Sequence, residues 1–361
     1  MADRVYNFNA GPSTLPLDVL KIVQEELLDY KGSGKSIMET SHRAPEYDEV
    51  HTSAIALTKE VMGLGDDYKV LFLQGGASTQ FALVPLNFLG KGQTAAYVET
   101  GTWSTKAIKE AKKLGDVCVA ASSEDTEFTY IPEPATIDCP PDAAYLHITS
   151  NNTVRGTQYH EWPDVGDVPL IADMSSDICS RQIDVSRFGL IYAGAQKNLG
   201  PAGCAMVIIR EDMLDRRNDG LPTMFDYRTH AEKDSLFNTP PSFTIYVIKL
   251  VLEWIKSRGG LRAVEQVNIA KKDAIYDVID LHSDYYTCPV DAASRSWMNI
   301  VFRLPSEDLE RKFVAEATAI GMAGLKGHRS VGGIRASIYN AMPLEGAQSL
   351  AKFMVEFQEA N

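Results

Sequence analysis

The sequence predicts an α/β protein: a mostly parallel, seven-stranded sheet covered by helices, followed by a smaller C-terminal α+β domain. Three observations carry that expectation. Over roughly the first two hundred residues, short apolar runs alternate with amphipathic helical stretches. The runs are apolar almost throughout rather than at every second position, as strands covered on both faces are. Beyond about residue 240 the order changes to long helices separated by single strands.

The N-terminal segment leads into a helix expected over 16–30. "KVLFLQGG" (69–76) is a buried strand ending in Gly-Gly, and "STQFALVPLNFL" (78–89) is the helix after it. Pro85 either kinks that helix or sits where its missing donor is tolerated. "TAAYVET" (94–100) is a strand, and "WSTKAIKEAKKLG" (103–115) an amphipathic helix closed by Gly115. Five more strands follow: "DVCVAAS" (116–122), "AAYLHITSNN" (143–152), "PLIADMSS" (169–176), "LIYAGAQK" (190–197) and "CAMVIIRED" (204–212). Then come a long helix, "FTIYVIKLVLEWIKSRGG" (243–260), and another over 261–282. "SWMNIVFRL" (296–304) and "GIRASIY" (333–339) are strands on either side of the serine-led helix "SEDLERKFVAEATAIG" (306–321). A last helix begins at Pro343. The expected division is a large domain over 16–240, with 1–15 and 241–361 forming the small one.

Bulk composition excludes several classes. The net charge is −13, from 48 acidic and 35 basic residues, which disfavours a nucleic-acid partner. No run of apolar residues is long enough to span a membrane, and the N-terminus lacks the apolar core of a signal peptide. A soluble cytoplasmic protein is expected. The five cysteines are an odd number, scattered and without a C-x-x-C pair, so neither a disulfide framework nor a zinc site is expected.

The stretch "YAGAQKNLGPAG" (192–203) places an amine, Lys197, just past the end of a strand. Asp173 stands at the end of the preceding strand. Ligands of parallel sheets sit beyond the strands' carboxyl ends. There a lysine and an acid suit pyridoxal 5′-phosphate, the lysine as Schiff-base partner and the acid on the pyridine nitrogen. The same pair also fits an ion pair between loops. "QGGAS" offers the amides of Ala77 and Ser78 at a helix N-terminus as a phosphate cradle, although many tight turns look alike. Trp103 begins a helix beyond another strand, where its indole stacks on a ring or fills a core. Thr153 and Gln196 reach a ring hydroxyl or phosphate, or serve as turn residues. Finally, "SHR" and "GHRSVGGIR" gather His42, Arg43, His328, Arg329 and Arg335 in an otherwise acidic chain. Guanidinium forks match carboxylate and phosphate, so a doubly anionic substrate suits this set; surface ion pairs are the alternative.

Several stretches carry a resemblance: "FNAGPSTLP" (8–16), "METSHR" (38–43), "LFLQGGAS" (71–78), "ADMSSDICSRQIDVSRFGLIYAGAQKNLGPAG" (172–203), "FNTPPSF" (237–243) and "GHRSVGGIRASIYNA" (327–341). Over essentially its whole length the chain resembles the class V, fold-type-I family of pyridoxal-phosphate aminotransferases. The resemblance implies Lys197 as Schiff-base lysine and proton shuttle, Asp173 on the pyridinium nitrogen and Trp103 stacked on the ring. It implies Ala77, Ser78, Thr153 and Gln196 around the phosphate and ring hydroxyl. Asn238 and Thr239 would reach that phosphate from the other subunit of an obligate homodimer. Arg335 would take the α-carboxylate. His42 and Arg43, with His328 and Arg329 from the partner chain, would take a phosphate or a side-chain carboxylate. The implied reaction is a reversible ping-pong exchange between L-glutamate and 3-phosphohydroxypyruvate, giving O-phospho-L-serine and 2-oxoglutarate. Whether 4-phosphooxy-L-threonine, a substrate of pyridoxine biosynthesis, is also accepted turns on pocket volume. A cysteine desulfurase of the same fold would need a reactive loop cysteine, with Cys179 and Cys204 the nearest candidates. A nicotinamide dehydrogenase would need G-x-G-x-x-G, which "QGGAST" does not provide.

Overall fold

A computed structural model describes residues 4–361. The seven apolar runs form one sheet in the order Tyr68–Gln74, Cys204–Arg210, Leu190–Gly194, Leu170–Asp173, Leu146–Thr149, Thr94–Glu99 and Asp116–Ser122. Cys204–Arg210 runs antiparallel to both neighbours and every other pair is parallel. Six strands therefore point one way, and their carboxyl ends share one edge.

Near-continuous apolarity has a direct cause here. Val70, Phe72, Ile148 and Ile191 join the core on one face. Leu71, Leu73, Tyr97, Ile171 and Tyr192 join the core on the other. Successive residues of a strand point to opposite faces, and neither face meets water. Pro85 lies inside helix Ala77–Phe88, near its end, where one lost donor disrupts little.

Two helices depart from expectation. The one expected over 16–30 is regular only over Leu17–Glu26. A tight turn at Tyr30–Gly32 follows, with Lys31 at φ 51°. Helix Pro45–Met62 was not foreseen. Its inner face presents Tyr47, Val50, His51, Ala54, Thr58 and Met62, a helical spacing in which His51 and Thr58 interrupt the apolar signal. Thr58 bonds the carbonyl of Ala54 at 2.8 Å, and His51 Nε2 meets the carbonyl of Asp234. Both polar groups are thus paired inside the core.

A third core gathers Phe8, Ile300, Phe302, Ala336, Phe313 and Phe353. It surrounds the antiparallel pair Asn299–Phe302 and Ile334–Ser337. Tyr6–Asn7 pairs in parallel with Met322–Ala323, which ties the N-terminal segment to this region. Helix Ser242–Ser257 belongs to the sheet's own core through Ile245, Ile248, Leu252 and Ile255. Helix Gly260–Leu281 then passes from that core, at Leu261 and Val264, to the third, at Ile275 and Ile279. The pattern change near residue 240 therefore falls within the first core.

The short hairpin Asn151–Asn152 with Thr157–Gln158 joins the two regions near the site. Gly156 turns it at φ 80°, and a Cβ there would lie 2.7 Å from Val301 Cγ2 and 3.2 Å from the carbonyl of Asn299. Gly156→Ala is expected to destabilise the chain by about 2 kcal/mol, from backbone strain alone, and more from the clash. Thermal unfolding followed by circular dichroism checks this; an unchanged melting temperature would contradict the reading.

Candidate active site

The edge where the parallel strands end opens into a cleft of about 390 Å³. Asp173 closes strand Leu170–Asp173, and Lys197 follows its neighbour Leu190–Gly194. The chain turns sharply after Gly194, so the lysine side chain enters the cleft rather than the core. Its Nζ donates to Thr153 Oγ1 at 2.6 Å and lies 5.4 Å from the Trp103 ring centre. Burial pushes this amine down to about 8; nearby Asp173 opposes the drop and Arg335 adds to it.

Asp173 is buried, with Oδ1 accepting from the Ser175 amide at 2.9 Å and the Ser175 hydroxyl at 2.6 Å. Ser175 Oγ in turn accepts from the Gly194 amide at 3.0 Å, fastening the acid to the neighbouring strand. Burial raises the Asp173 pKa, while the Lys197 charge and the Ser175 hydrogen bonds pull it back. A cation facing this carboxylate would hold it ionised.

Ala77, Ser78, Trp103, Thr153, Gln196, His328 and Arg335 line the same cleft. Helix Ala77–Phe88 starts without a side-chain cap, so its first amides are available to an anion. A Cβ on Gly194 would come 2.8 Å from Gln196 Oε1 and 3.4 Å from the Ala77 nitrogen. The glycine thus keeps the cradle open. Arg335 reaches in from strand Ile334–Ser337, its Nη1 3.4 Å from the carbonyl of Thr153. Arg335 Nε and Trp103 Nε1 are both buried without a hydrogen-bond partner among the described residues. Lys106 Nζ lies 4.4 Å from the Trp103 ring centre.

His42 and Arg43 do not line this cleft, nor do Arg329, Asn238 and Thr239, which were expected to act from a partner subunit. Asn238 and Thr239 are held beside the first strand's end, where Asn238 Nδ2 donates to Gln74 Oε1 at 3.1 Å and Gln74 Nε2 to the Thr239 carbonyl at 2.7 Å. Arg43 is exposed, and His42 Nε2 is buried without a partner among the described residues. His328, expected to act from a partner chain, also lines the cleft of its own chain. The loop before strand Ile334–Ser337 folds over its own chain's cleft and brings His328 there with Arg335. Burial and then the Arg335, Arg329 and Lys106 charges lower the His328 pKa.

Sequence reasoning also missed Ala10, Gly11, Val154 and Ser175 in the lining. A Cβ on Gly11 would sit 3.2 Å from Lys197 Cγ, at φ 147°, so only glycine fits easily beside the lysine. "AGPS" at 10–13 was the available signal. Ser13 donates its amide to the Gln196 carbonyl at 3.0 Å, and its hydroxyl meets the Lys197 carbonyl. Cys179 and Cys204 are buried, with thiols pushed up to about 12 by that burial, and neither lines the cleft. No group of side chains suited to a metal ion occurs among the described residues.

A buried acid, a lysine of depressed pKa, an uncapped helix start and an indole around one cleft at the strand ends define a pyridoxal-phosphate-dependent enzyme of the α/β type. The class-V aminotransferase family model matches residues 5–350, and the chain belongs to that family. Within it, the chain is a member of the phosphoserine aminotransferases. It is 60% identical to the phosphoserine aminotransferase of Desulfatibacillum aliphaticivorans, with 100% of both chains covered. It is 55% identical to that of Lysinibacillus sphaericus, with 99% of both covered. The solved phosphoserine aminotransferase of Bacillus circulans subsp. alkalophilus superposes with a TM-score of 0.97, at 55% identity and 99% coverage of both chains. The pyridoxal-phosphate-bound enzyme of Trichomonas vaginalis does so at 0.93, with 36% identity over 98% of this chain and 100% of that one. Pyridoxal 5′-phosphate is the cofactor of this chain. The orphaned Trp103 and Arg335 nitrogens and the open cradle at Gly194 fit a ring, a phosphate and a carboxylate.

The lowered pKa has a testable sign. A lysine whose pKa falls to about 8 is mostly neutral above that pH, whereas exposed lysines stay protonated to about 10.4. In the cofactor-free protein, acylation of Lys197 by acetic anhydride, followed by mass spectrometry, is expected to rise with a midpoint near 8. A midpoint with the bulk lysines would contradict the burial argument.

Proposed function

We propose that the chain catalyses the reversible transfer of an amino group from L-glutamate to 3-phosphohydroxypyruvate, forming 2-oxoglutarate and O-phospho-L-serine. The observation that carries this reading is the shared cleft of Lys197, Asp173, Arg335 and His328. One amine able to move a proton and one acid at the ring stand beside cations suited to two anionic groups.

When bound, the cofactor supplies an electron sink for the bond changes at the substrate's Cα. The chain's residues do the rest. Ala77 and Ser78 amides, with Gln196, would hold the phosphate, Trp103 would cover the ring, and Asp173 would keep a proton on the pyridine nitrogen. Arg335 binds the α-carboxylate, which presents the Cα–H to Lys197. Lys197 Nζ would take that proton and hold it for return, and its depressed pKa makes it a competent base near neutral pH. Thr153 Oγ1 orients the amine. The two acids share this pocket in turn, so the kinetics are ping-pong.

A second copy completes the site in this reading. Asn238 and Thr239 reach the cofactor phosphate of the partner. His42 and Arg43, which stand outside their own chain's cleft, join the partner's His328 and Arg329 around the substrate phosphate or the glutamate side chain. The working unit is a homodimer, and the setting is the cytoplasm. No described helix is long and apolar enough to cross a membrane. A large domain over 16–240 and a small one from 1–15 and 241–361 remain the proposed division, with the cleft between them. Acceptance of 4-phosphooxy-L-threonine is decided by assay with that compound.

The test is the visible spectrum of the purified holoenzyme. L-Glutamate is expected to bleach the band of the lysine-bound cofactor, and 3-phosphohydroxypyruvate to restore it. Bleaching without recovery keeps the aminotransferase and moves the acceptor elsewhere.

A further inference from the structure

Trp103 would cover the cofactor ring, and an indole does so best when its plane is set before that ring arrives. Few of its neighbours set it. The residue stands in the first turn of helix Thr102–Ala111, half-buried, with one side against the core of Leu71 and Tyr97. Its Nε1 is buried without a hydrogen-bond partner among the described residues, so no polar anchor fixes the ring. No described aromatic side chain stacks on it either, whereas Trp162 packs against Tyr159 and Phe188, and Trp297 against His160. Lys197 Nζ lies 5.4 Å from the ring centre, but that amine is committed to the cofactor. The remaining contact is Lys106, whose Nζ lies 4.4 Å from the same centre.

The local structure directs the lysine there. Side chains of a helix lean toward its N-terminus, so a residue three positions on lies over the earlier one. Lys106 and Trp103 have that spacing. No acid draws the ammonium elsewhere. Glu110, one turn further on, is held by Lys113 through both oxygens, at 2.7 and 2.9 Å. Glu99 accepts from the Thr105 hydroxyl at 2.7 Å. Among the described residues Lys106 makes no ion pair, although it is exposed in an acidic chain. Its charge also acts on His328, after burial and the charges of Arg335 and Arg329, which places it beside the cleft. An ammonium over an indole is attracted by the ring's quadrupole, and here two groups without other partners satisfy each other.

We propose that Lys106 is a positioning residue for the cofactor: its ammonium, seated on the indole, holds Trp103 in the orientation that stacks on the pyridine ring. Lys106 acts through Trp103 alone and tightens cofactor binding by setting the ring plane beforehand. The proposal rests on the reading that Trp103 covers the ring, and the test separates the two.

That test is a double-mutant cycle read as the dissociation constant of pyridoxal 5′-phosphate. The cofactor is titrated into the cofactor-free protein and followed by the visible band it forms with the lysine. Lys106→Gln is expected to raise the constant about threefold, the scale of an exposed cation–π contact. Lys106→Arg should keep the parental value, because a guanidinium also sits on an indole. Trp103→Leu, which keeps apolar bulk but removes the aromatic face, is expected to raise it about tenfold. In the Trp103→Leu background, Lys106→Gln should add nothing. Melting temperatures of the Lys106 variants should match the parent, since the side chain is exposed; a drop that accounts for the weaker binding overturns the proposal. A threefold loss that persists without the indole also overturns it and makes Lys106 a direct partner of an anion. So does an unchanged constant in Lys106→Gln, and a loss in Trp103→Leu alongside it would leave the reading of Trp103 standing. If Trp103→Leu itself binds the cofactor like the parent, that reading falls and the proposal with it.

Discussion

Lys197→Ala is expected to lose about 10⁴-fold in turnover, the upper range for removing a positioned proton-transfer group, while the fold persists. The side chain touches little that stability needs. It makes one hydrogen bond, to Thr153 Oγ1, and stands in a cleft rather than in a packed core. The turn that carries it is held by main chain, through the Ser13 amide on the Gln196 carbonyl and the Leu199 amide on the Ala195 carbonyl at 3.1 Å. Circular dichroism and melting temperature should match the parent, and the visible band of the lysine-bound cofactor should be gone. A folded variant with parental turnover would refute the lysine's role as proton carrier. Lys197→Arg sharpens the test, because arginine keeps a positive charge at that position but does not release its proton near neutral pH.

Arg335→Ala is expected to weaken glutamate and O-phospho-L-serine alike, by about a hundredfold in KM. That corresponds to about 3 kcal/mol, within the range for leaving one partner of a buried charge pair alone. The guanidinium is itself short of partners: Nε has none among the described residues, and burial lowers its pKa. An arriving carboxylate therefore meets a donor that gives up no strong bond. The strand beneath survives the change, since Arg335 sits opposite Val301 and its amide bonds the Leu325 carbonyl at 2.8 Å. If Arg335 holds the carboxylate both before and during the reaction, as proposed, the effect should fall on KM more than on kcat. Weakening of only one amino acid would show that the two do not share a carboxylate site. Arg335→Lys should recover only part of the loss, because an ammonium lacks the planar fork.

How much of the site could be read beforehand follows from the kind of signal each residue leaves. Lys197 and Asp173 each end an apolar run, so strand periodicity alone put them at one edge of one sheet. Ala77, Ser78 and Trp103 follow strands in the same manner. Ser175 and Gly11 left no such trace. Their roles, a hydroxyl bridging Asp173 to Gly194 and a missing Cβ beside Lys197 Cγ, depend on which segments lie side by side. His328 was legible as a cation next to glycines, but not as a group over its own chain's cleft.

Helix Pro45–Met62 teaches the same lesson in the fold. His51 and Thr58 face the core and broke the apolar pattern; what admits them there is a carbonyl from Asp234 and one from Ala54. Helix Ser242–Ser257 follows the last strand of the large sheet and packs in that sheet's core, which the change of pattern near residue 240 does not reveal. Local pattern determined the strands, most helices, the edge where chemistry occurs and the residue types that perform it. These follow from burial and backbone sterics acting over a few residues. Tertiary structure alone decided which cations face the lysine and which polar groups the core tolerates. Each of those depends on atoms from distant segments meeting within hydrogen-bond range, and periodicity in one segment carries no information about its neighbours across the fold.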